Sequence, residues 1–340
     1  MIKKLALRGF KNIKSEDLEL RPITILTGLN STGKSSVLQA ILLLCKETTR
    51  NGMLFLNGVS SAFSTLRNIY VNAKEVFISC ETEQGTIVYR LDQESYSIEP
   101  SGSISAIIPE FEKNLFYLSA NRIGVENDAI LSNNQVCGVD GRYLYGTYER
   151  EKSRALDESL VRYSGSLTLA AQVNYWLGYI LDLPMELTTE KRTEEKVEIR
   201  FKSDGIPNLS PNQLGAGVSY LVKILILCLQ ARKGDVILIE NPEIHLHPAA
   251  QSKLGEFFAF IASAGIQLIL ETHCEHLLNR LRYEVYHERI DPDQLVIYYK
   301  GGIIEPFQVI HIRENGKYDV AFPGGFFDNW RESAMSLILR

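Results

Sequence analysis

The stretch Ile23-Thr24-Ile25-Leu26-Thr27-Gly28-Leu29-Asn30-Ser31-Thr32-Gly33-Lys34-Ser35 decides how this chain folds. Five residues of strand character run into a glycine. Gly28 to Ser35 then match G-x-x-x-x-G-K-[ST] without a gap. A helical pattern follows from about Lys34 to Glu47, with Val37, Leu38, Ile41, Leu42 and Cys45 on one face. Glycines at 28 and 33 let the backbone fold tightly, so that successive N–H groups face an anion. The helix N-terminus adds partial positive charge. In such a loop Lys34 would reach the β- and γ-phosphates of a bound ligand, and the Ser35 hydroxyl would ligate Mg2+. A chance match in a glycine turn would lack this strand–helix context.

A phosphate loop of this kind needs a metal-holding carboxylate at the tip of a nearby strand. The run VILIE (236–240) ends in Glu240 and continues Asn241-Pro242-Glu243-Ile244-His245-Leu246-His247-Pro248. Glu240 is the natural Mg2+-side acid. Glu243, three residues on and past a proline, either orients or deprotonates an attacking water or caps the next helix. Glu240 follows Lys34 by 206 residues. That gap is too long for a small GTPase-like domain and fits ATPases with a lobe between the two motifs. Leu214-Gly215-Ala216-Gly217-Val218-Ser219 precedes an apolar helix read over 219–231, so glycines open a second anion site. His273 follows the strand IQLILET (266–272), where an imidazole senses a γ-phosphate; alone it would be an ordinary loop histidine.

Around these motifs the pattern alternates. Strands are expected at 2–9 and 17–27 with a turn near Lys14–Glu16, a hairpin over 74–99 turning at Glu83-Gln84-Gly85, and a buried strand at 115–120. A turn-rich stretch (123–165), a helix (167–181) and charged β structure (186–203) come next. Strand 236–240, helix 249–263, strand 266–272, helix 275–283 and strand 294–299 then argue a mostly parallel sheet with helices on both faces. The expected division is lobe I at 1–122, a mixed or helical insertion at 123–206, lobe II at 207–300 and a tail at 301–340. The class is α/β, with a small antiparallel β-subdomain.

The 340 residues carry 36 Lys plus Arg and 41 Asp plus Glu, a formal charge of −5, with 45% apolar and 23% charged residues. That is ordinary globular usage, and it argues against a chain coated in positive charge for nucleic acid. The basic residues from Lys191 to Lys202 interleave with Glu190, Glu194, Glu195 and Glu198, which reads as a solvated face. Five widely spaced cysteines (45, 80, 137, 228, 274) form no CxxC pair and read as reduced thiols in a cytoplasmic protein. The most apolar segment, Val218–Leu229, is broken by Ser219 and Lys223 and is too short to span a bilayer. The N-terminus has no signal-peptide pattern.

The order GLNSTGKS (28–35), LGAGVS (214–219), VILIENPEIHLHP (236–248) and ETH (271–273) resembles the ABC/SMC superclass of P-loop ATPases. Within it the chain is similar to AAA-type ATPases of the OLD (overcoming lysogenisation defect) family and to ATPase subunits of bacterial defence systems. LRGFKNIKS (7–15), YLSANRIG (117–124), NYWLGYI (174–180) and PGGFFDNW (323–330) carry the same likeness, which covers essentially the whole chain. The resemblance implies an ABC/SMC head that binds ATP and Mg2+ and dimerises head to tail. Gly28, Asn30, Ser31, Thr32, Gly33, Lys34, Ser35 and Ser36 would hold the phosphates. Lys11 and Asn12 would lie near phosphates or ribose, and Arg122 on the γ-phosphate side. Gly215, Ala216 and Gly217 would contact the partner's γ-phosphate. Glu240, Asn241, Glu243 and His273 would form the hydrolytic set, with Ser35 and Glu240 at the metal.

Two departures from the family pattern matter. The signature serine is Gly215 here, so that hydroxyl is missing unless Ser219 replaces it. The catalytic glutamate of the ABC pattern falls on Asn241, so either Glu243 serves as base or hydrolysis is slow and ATP acts as a dimerisation switch. No heptad arms interrupt the chain, and only 40 residues follow Lys300, too few for a nuclease domain. Asp319, Asp328 and Glu332 in that tail read as surface charges. His245, His247, Cys274 and His276 read as loop and sensing residues, not metal ligands. A head without an effector implies a separate one, a nuclease or toxin as in antiviral defence. Alternatives are an ATPase acting on DNA in repair, a transporter motor, disfavoured by Arg122 in place of the coupling glutamine, and a small-molecule kinase. DNA contact follows from the resemblance alone, and no membrane partner is expected.

Overall fold

The structure is a computed structural model, and it describes residues 1–322. PGGFFDNW (323–330), Asp328 and Glu332 lie outside the described residues. In chain order the elements are β1 (Ile2–Phe10), β2 (Ile13–Glu19), β3 (Ile23–Gly28), α1 (Lys34–Thr48), α2 (Arg50–Phe55) and α3 (Phe63–Leu66). Next come β4 (Val76–Thr82), β5 (Gly85–Leu91), β6 (Tyr96–Pro100), α4 (Ile104–Ile107), β7 (Leu115–Leu118) and β8 (Asp128–Ile130). Then follow α5 (Leu144–Glu151), α6 (Leu169–Leu181), β9 (Met185–Lys191), β10 (Lys196–Ser203), β11 (Ile206–Leu209) and α7 (Ala216–Gln230). The described chain closes with β12 (Val236–Glu240), α8 (Pro248–Ser263), β13 (Gln267–Glu271), α9 (Glu275–Tyr286), β14 (Leu295–Lys300) and β15 (Gln308–Ile310).

The central sheet has the order β15-β14-β3-β13-β12-β7 and is parallel except for β15. Its parallel strands are mostly apolar runs buried on both sides, as helix-covered parallel sheets require. Alternate residues feed two cores. Ile23, Ile25, Ile237, Ile239, Leu268 and Leu270 face the layer that holds α6, α7, α8 and α9. Leu26, Val236, Leu238 and Ile269 face α1 and an antiparallel sheet of order β2-β1-β4-β5-β6. This parity fixes which strand-tip side chains meet α1.

Several expectations shift. The strand expected over 17–27 is two strands in two sheets. Pro22, which has no N–H to donate, stands at the break, and β1 and β2 turn at Lys11–Asn12, not near residue 15. A third strand, β6, extends the 74–99 hairpin. In the insertion, β8, β9, β10 and β11 form their own antiparallel sheet beside α5 and α6, a mixture of strand and helix. The helix expected from 219 begins at Ala216, so Ala216 and Gly217 lie in its first turn and not in a loop. β15 ties part of the expected tail to β14.

Candidate nucleotide site at three strand tips

β3, β13 and β12 are consecutive in the sheet, so the residues that follow them gather at one edge. The phosphate loop leaves β3 at Gly28, where φ is +126° and a Cβ would fall 2.1 Å from the Lys300 carbonyl oxygen. Only glycine tolerates that backbone so close to β14. Leu29 N–H then donates to Lys300 O at 3.0 Å. Ser31 (φ +62°) and Gly33 (φ +114°) complete the turn. The Asn12 amide donates to Ser31 O at 2.8 Å, so the β1–β2 hairpin braces the loop. Thr32 Oγ1 and Lys34 Nζ both donate to Leu29 O, at 2.9 and 2.6 Å. The ammonium is thus folded back over the loop. Burial holds its pKa below the ordinary lysine value, against the opposing pull of Glu271.

α1 and α7 both begin on a glycine with no side-chain cap and no acidic residue in the first turn. By contrast, α6, α8 and α9 are capped by Thr168, His247 and Cys274. Ser36 N–H donates to Gly33 O at 3.1 Å, and with no side-chain cap the start of α1 suits an anion. Asn30 and Ser31 are exposed on the loop, while Thr32 and Ser36 are buried beneath it.

Glu240 and Glu271 are register partners at the tips of β12 and β13. By parity both lie on the α1 side of the sheet, with Leu238 and Ile269. Glu240 Oε1 accepts from Tyr117 OH at 3.0 Å, and its Oε2 accepts from Ala120 N–H at 2.9 Å. Glu271 is buried, and the Ser35 hydroxyl, Glu240, Lys34 and Glu243 all act on its carboxyl. Burial raises its pKa, Ser35 lowers it and Glu240 raises it further. Ser35 and Glu240 line one cavity of about 570 Å3, together with Lys11, Gln39, Tyr117 and Asn121. Lys11 Nζ donates to Gln39 Oε1, and burial lowers its pKa.

The turn after β12 is held from several sides. Asn241 has φ +44°, donates its N–H to Glu271 O at 2.7 Å and leaves a buried Oδ1 without a protein partner. Glu243 Oε1 accepts from the His273 N–H at 3.1 Å, and Glu243 Oε2 is buried without a partner. Burial raises the Glu243 pKa; hydrogen bonds and Arg122 oppose it. The His273 ring is held below its usual pKa by burial and then by Lys34.

Two residues expected at the site, Arg122 and Ser219, are engaged within the chain, and Arg122 braces the carboxylate turn. It is buried behind the carboxylate turn, donating to Glu240 O and Asn241 O at 2.7 Å each and to Ser119 O at 3.2 Å. Its guanidinium lies over the Tyr220 ring at 5.3 Å, and burial lowers its pKa to about 10. Ser219 faces inward beside Tyr145 and is 1% exposed, so its hydroxyl does not stand in for a signature serine. Gly215 is exposed with open space at its Cβ position, and Ala216 is half-buried. At Gly217 a Cβ would fall 2.4 Å from His245 O, so α7 abuts the carboxylate turn. Among the described residues no hydrogen bond joins 214–219 to the phosphate loop.

Sequence reading missed Glu271 and Tyr117. Among the described residues no group of three or more His, Cys, Asp or Glu could hold a metal on its own. A hydroxyl and two carboxylates beside an anion-binding loop do fit Mg2+, which takes its remaining ligands from phosphates and water. The charged β9–β10 hairpin carries paired ions, Lys191 with Glu194 at 2.7 Å and both Arg192 and Arg200 with Glu198. No helix of the described residues is long and apolar enough to cross a membrane.

A family model described as "AAA ATPase domain" matches residues 1–204. A second, described as "AAA domain, putative AbiEii toxin, Type IV TA system", matches residues 139–279. No curated relative matches the chain. An SMC head solved bound to the C-winged helix domain of ScpA is similar in structure, with a TM-score of 0.58 at 14% identity over 92% of this chain and 98% of that one. An SMC head domain with an extended coiled coil, bound to the C-terminal domain of ScpA derived from Pyrococcus furiosus, gives 0.54 at 15% identity over 99% and 98%. The chain therefore has the SMC-head form of the P-loop α/β fold.

Proposed function

The chain belongs to the AAA ATPase domain family, and from that premise we propose that it is a slow, regulatory ATPase whose two copies close around ATP. One observation carries the reading. Three adjacent strand tips bring Lys34 and Ser35, Glu271 to His273, and Glu240 to Glu243 to a single edge of the sheet.

The uncapped start of α1 and the phosphate-loop amides would bind the triphosphate, with the Lys34 ammonium swinging from Leu29 O onto it. Ser35 and Glu240 would hold the Mg2+ that accompanies ATP. When bound, that ion neutralises charge on the phosphoryl oxygens. Glu243 is the best-placed base, because its Oε1 is anchored by the His273 N–H and its Oε2 is free to take a proton from water. Asn241 at the family's glutamate position supports slow turnover, since an amide does not take that proton. His273, near Lys34, would report the γ-phosphate.

The α7 start, bare at Gly215, supports a second copy docking there. Closure would act on a separate effector, a nuclease or toxin of a defence system. The toxin–antitoxin wording of the second family model points the same way but belongs to that family. The test is native mass with and without a non-hydrolysable ATP analogue, on wild type and on E243Q with ATP. A doubled mass only with nucleotide supports the switch. An unchanged monomer with nucleotide bound defeats it.

A further inference from the structure

Resting on the ATP reading above, we infer that Glu271 is a second carboxylate of the divalent-ion site, working with Ser35 where Glu240 alone does not suffice. Parity places it. In β13, Leu268 and Leu270 face the α6–α9 layer, while Ile269 faces α1, so Glu271 also points to the α1 side. There α1 begins with Lys34 and Ser35, and the Ser35 hydroxyl stands beside the Glu271 carboxylate.

The two acids differ in what they have left to give. Glu240 has both oxygens engaged by protein donors, the Tyr117 hydroxyl and the Ala120 N–H. Glu271 is only 7% exposed, yet its Oε2 has no protein partner. A buried carboxylate oxygen left without a donor is costly unless something else neutralises it. A divalent ion at Ser35 would do so at the tip of the same strand pair. Mg2+ accepts one or two carboxylates besides phosphates and water, so Glu240 and Glu271 together do not overfill its shell.

The experiment uses the full chain with Mn2+ in place of Mg2+. Free Mn2+ is followed by electron paramagnetic resonance in the presence of a non-hydrolysable ATP analogue. Binding of a fluorescent ATP analogue in EDTA is measured in parallel. E271Q keeps the shape and removes the charge. It is expected to raise the Mn2+ concentration at half-saturation by about tenfold or more, with no loss of metal-free nucleotide affinity. A wild-type Mn2+ curve in folded E271Q overturns the inference and leaves the ATP reading standing. Failure of the wild-type chain itself to bind the analogue overturns both. Should E271Q not fold, E271D keeps the charge one methylene short and is expected to weaken Mn2+ severalfold; a wild-type curve there also overturns the inference.

Discussion

Replacing Arg122 with lysine separates two placements of that side chain. In the structure its fork spans the carbonyls of Glu240 and Asn241, each at 2.7 Å, in a residue only 4% exposed. A single ammonium keeps one of those bonds and leaves the other carbonyl buried and unpaired. A hydrogen bond to a charged group contributes about 1.5–3 kcal/mol, so R122K should lose about 2 kcal/mol, and R122A, which loses both, about 4 kcal/mol. A chain this long has an unfolding entropy of about 0.7 kcal/mol/K, so these losses lower the melting midpoint by about 3 and 6 °C. The assay is a thermal melt without nucleotide. If Arg122 instead reached a phosphate, the nucleotide-free melts would match wild type within about 1 °C. Only the rise on adding ATP would shrink. That result would refute the bracing role and restore the phosphate contact expected from the sequence.

Lys34→Ala removes the ammonium that donates to Leu29 O on the phosphate loop, and calorimetric ATP binding should weaken at least about 100-fold, equivalent to about 3 kcal/mol. If Glu243 takes the proton, E243Q should cut single-turnover hydrolysis by about 100-fold with binding intact; equal rates remove Glu243 from the mechanism. The base works deprotonated, and burial raises the Glu243 pKa. Wild-type turnover should therefore fall as pH drops through a value above the ordinary glutamate range, and a pH–rate profile of E243Q should lack that limb. Gly28→Ala sets a Cβ 2.1 Å from Lys300 O at a positive φ. It should destabilise the chain by about 3 kcal/mol or more and abolish ATP binding, read by melting and by nucleotide titration.

The fold was legible where one physical signal had no competitor. Gly28–Ser35 needs its strand and helix, and VILIE and IQLILE are too apolar to be anything but strands buried on both faces. Where two signals overlapped, the boundary slipped. DLELRPITILTG reads as one apolar-ended strand, and only its partners reveal that Ile13–Glu19 pairs with β1 while Ile23–Gly28 enters the parallel sheet. Side-chain direction was hidden on α7, which is buried on nearly every side. Such a helix offers no polar face against which to phase Ser219. Arg122 was hidden for another reason. A cation in a motif suggests an external anion, and no local pattern announces that two main-chain carbonyls 118 and 119 residues away will absorb it.

Glu271 is the instructive omission, because its signal was present in the chain. VILIE and LILE end alike, in an apolar run closed by a glutamate. A proline-bearing motif after Glu240 marks that residue out, and the loop position of His273 marks the histidine, while Glu271 has neither signal beside it. Strand period alone ranks the candidates differently. In a parallel pair held in register, residues at equivalent positions point the same way, so Glu240 and Glu271 share a face. That face carries α1, which opens on the lysine and the hydroxyl of the phosphate loop. His273 is two residues beyond Glu271, past the end of the ladder, where parity no longer constrains it. The register that brings the Glu240 carboxylate to the α1 side of the sheet brings the Glu271 carboxylate there as well.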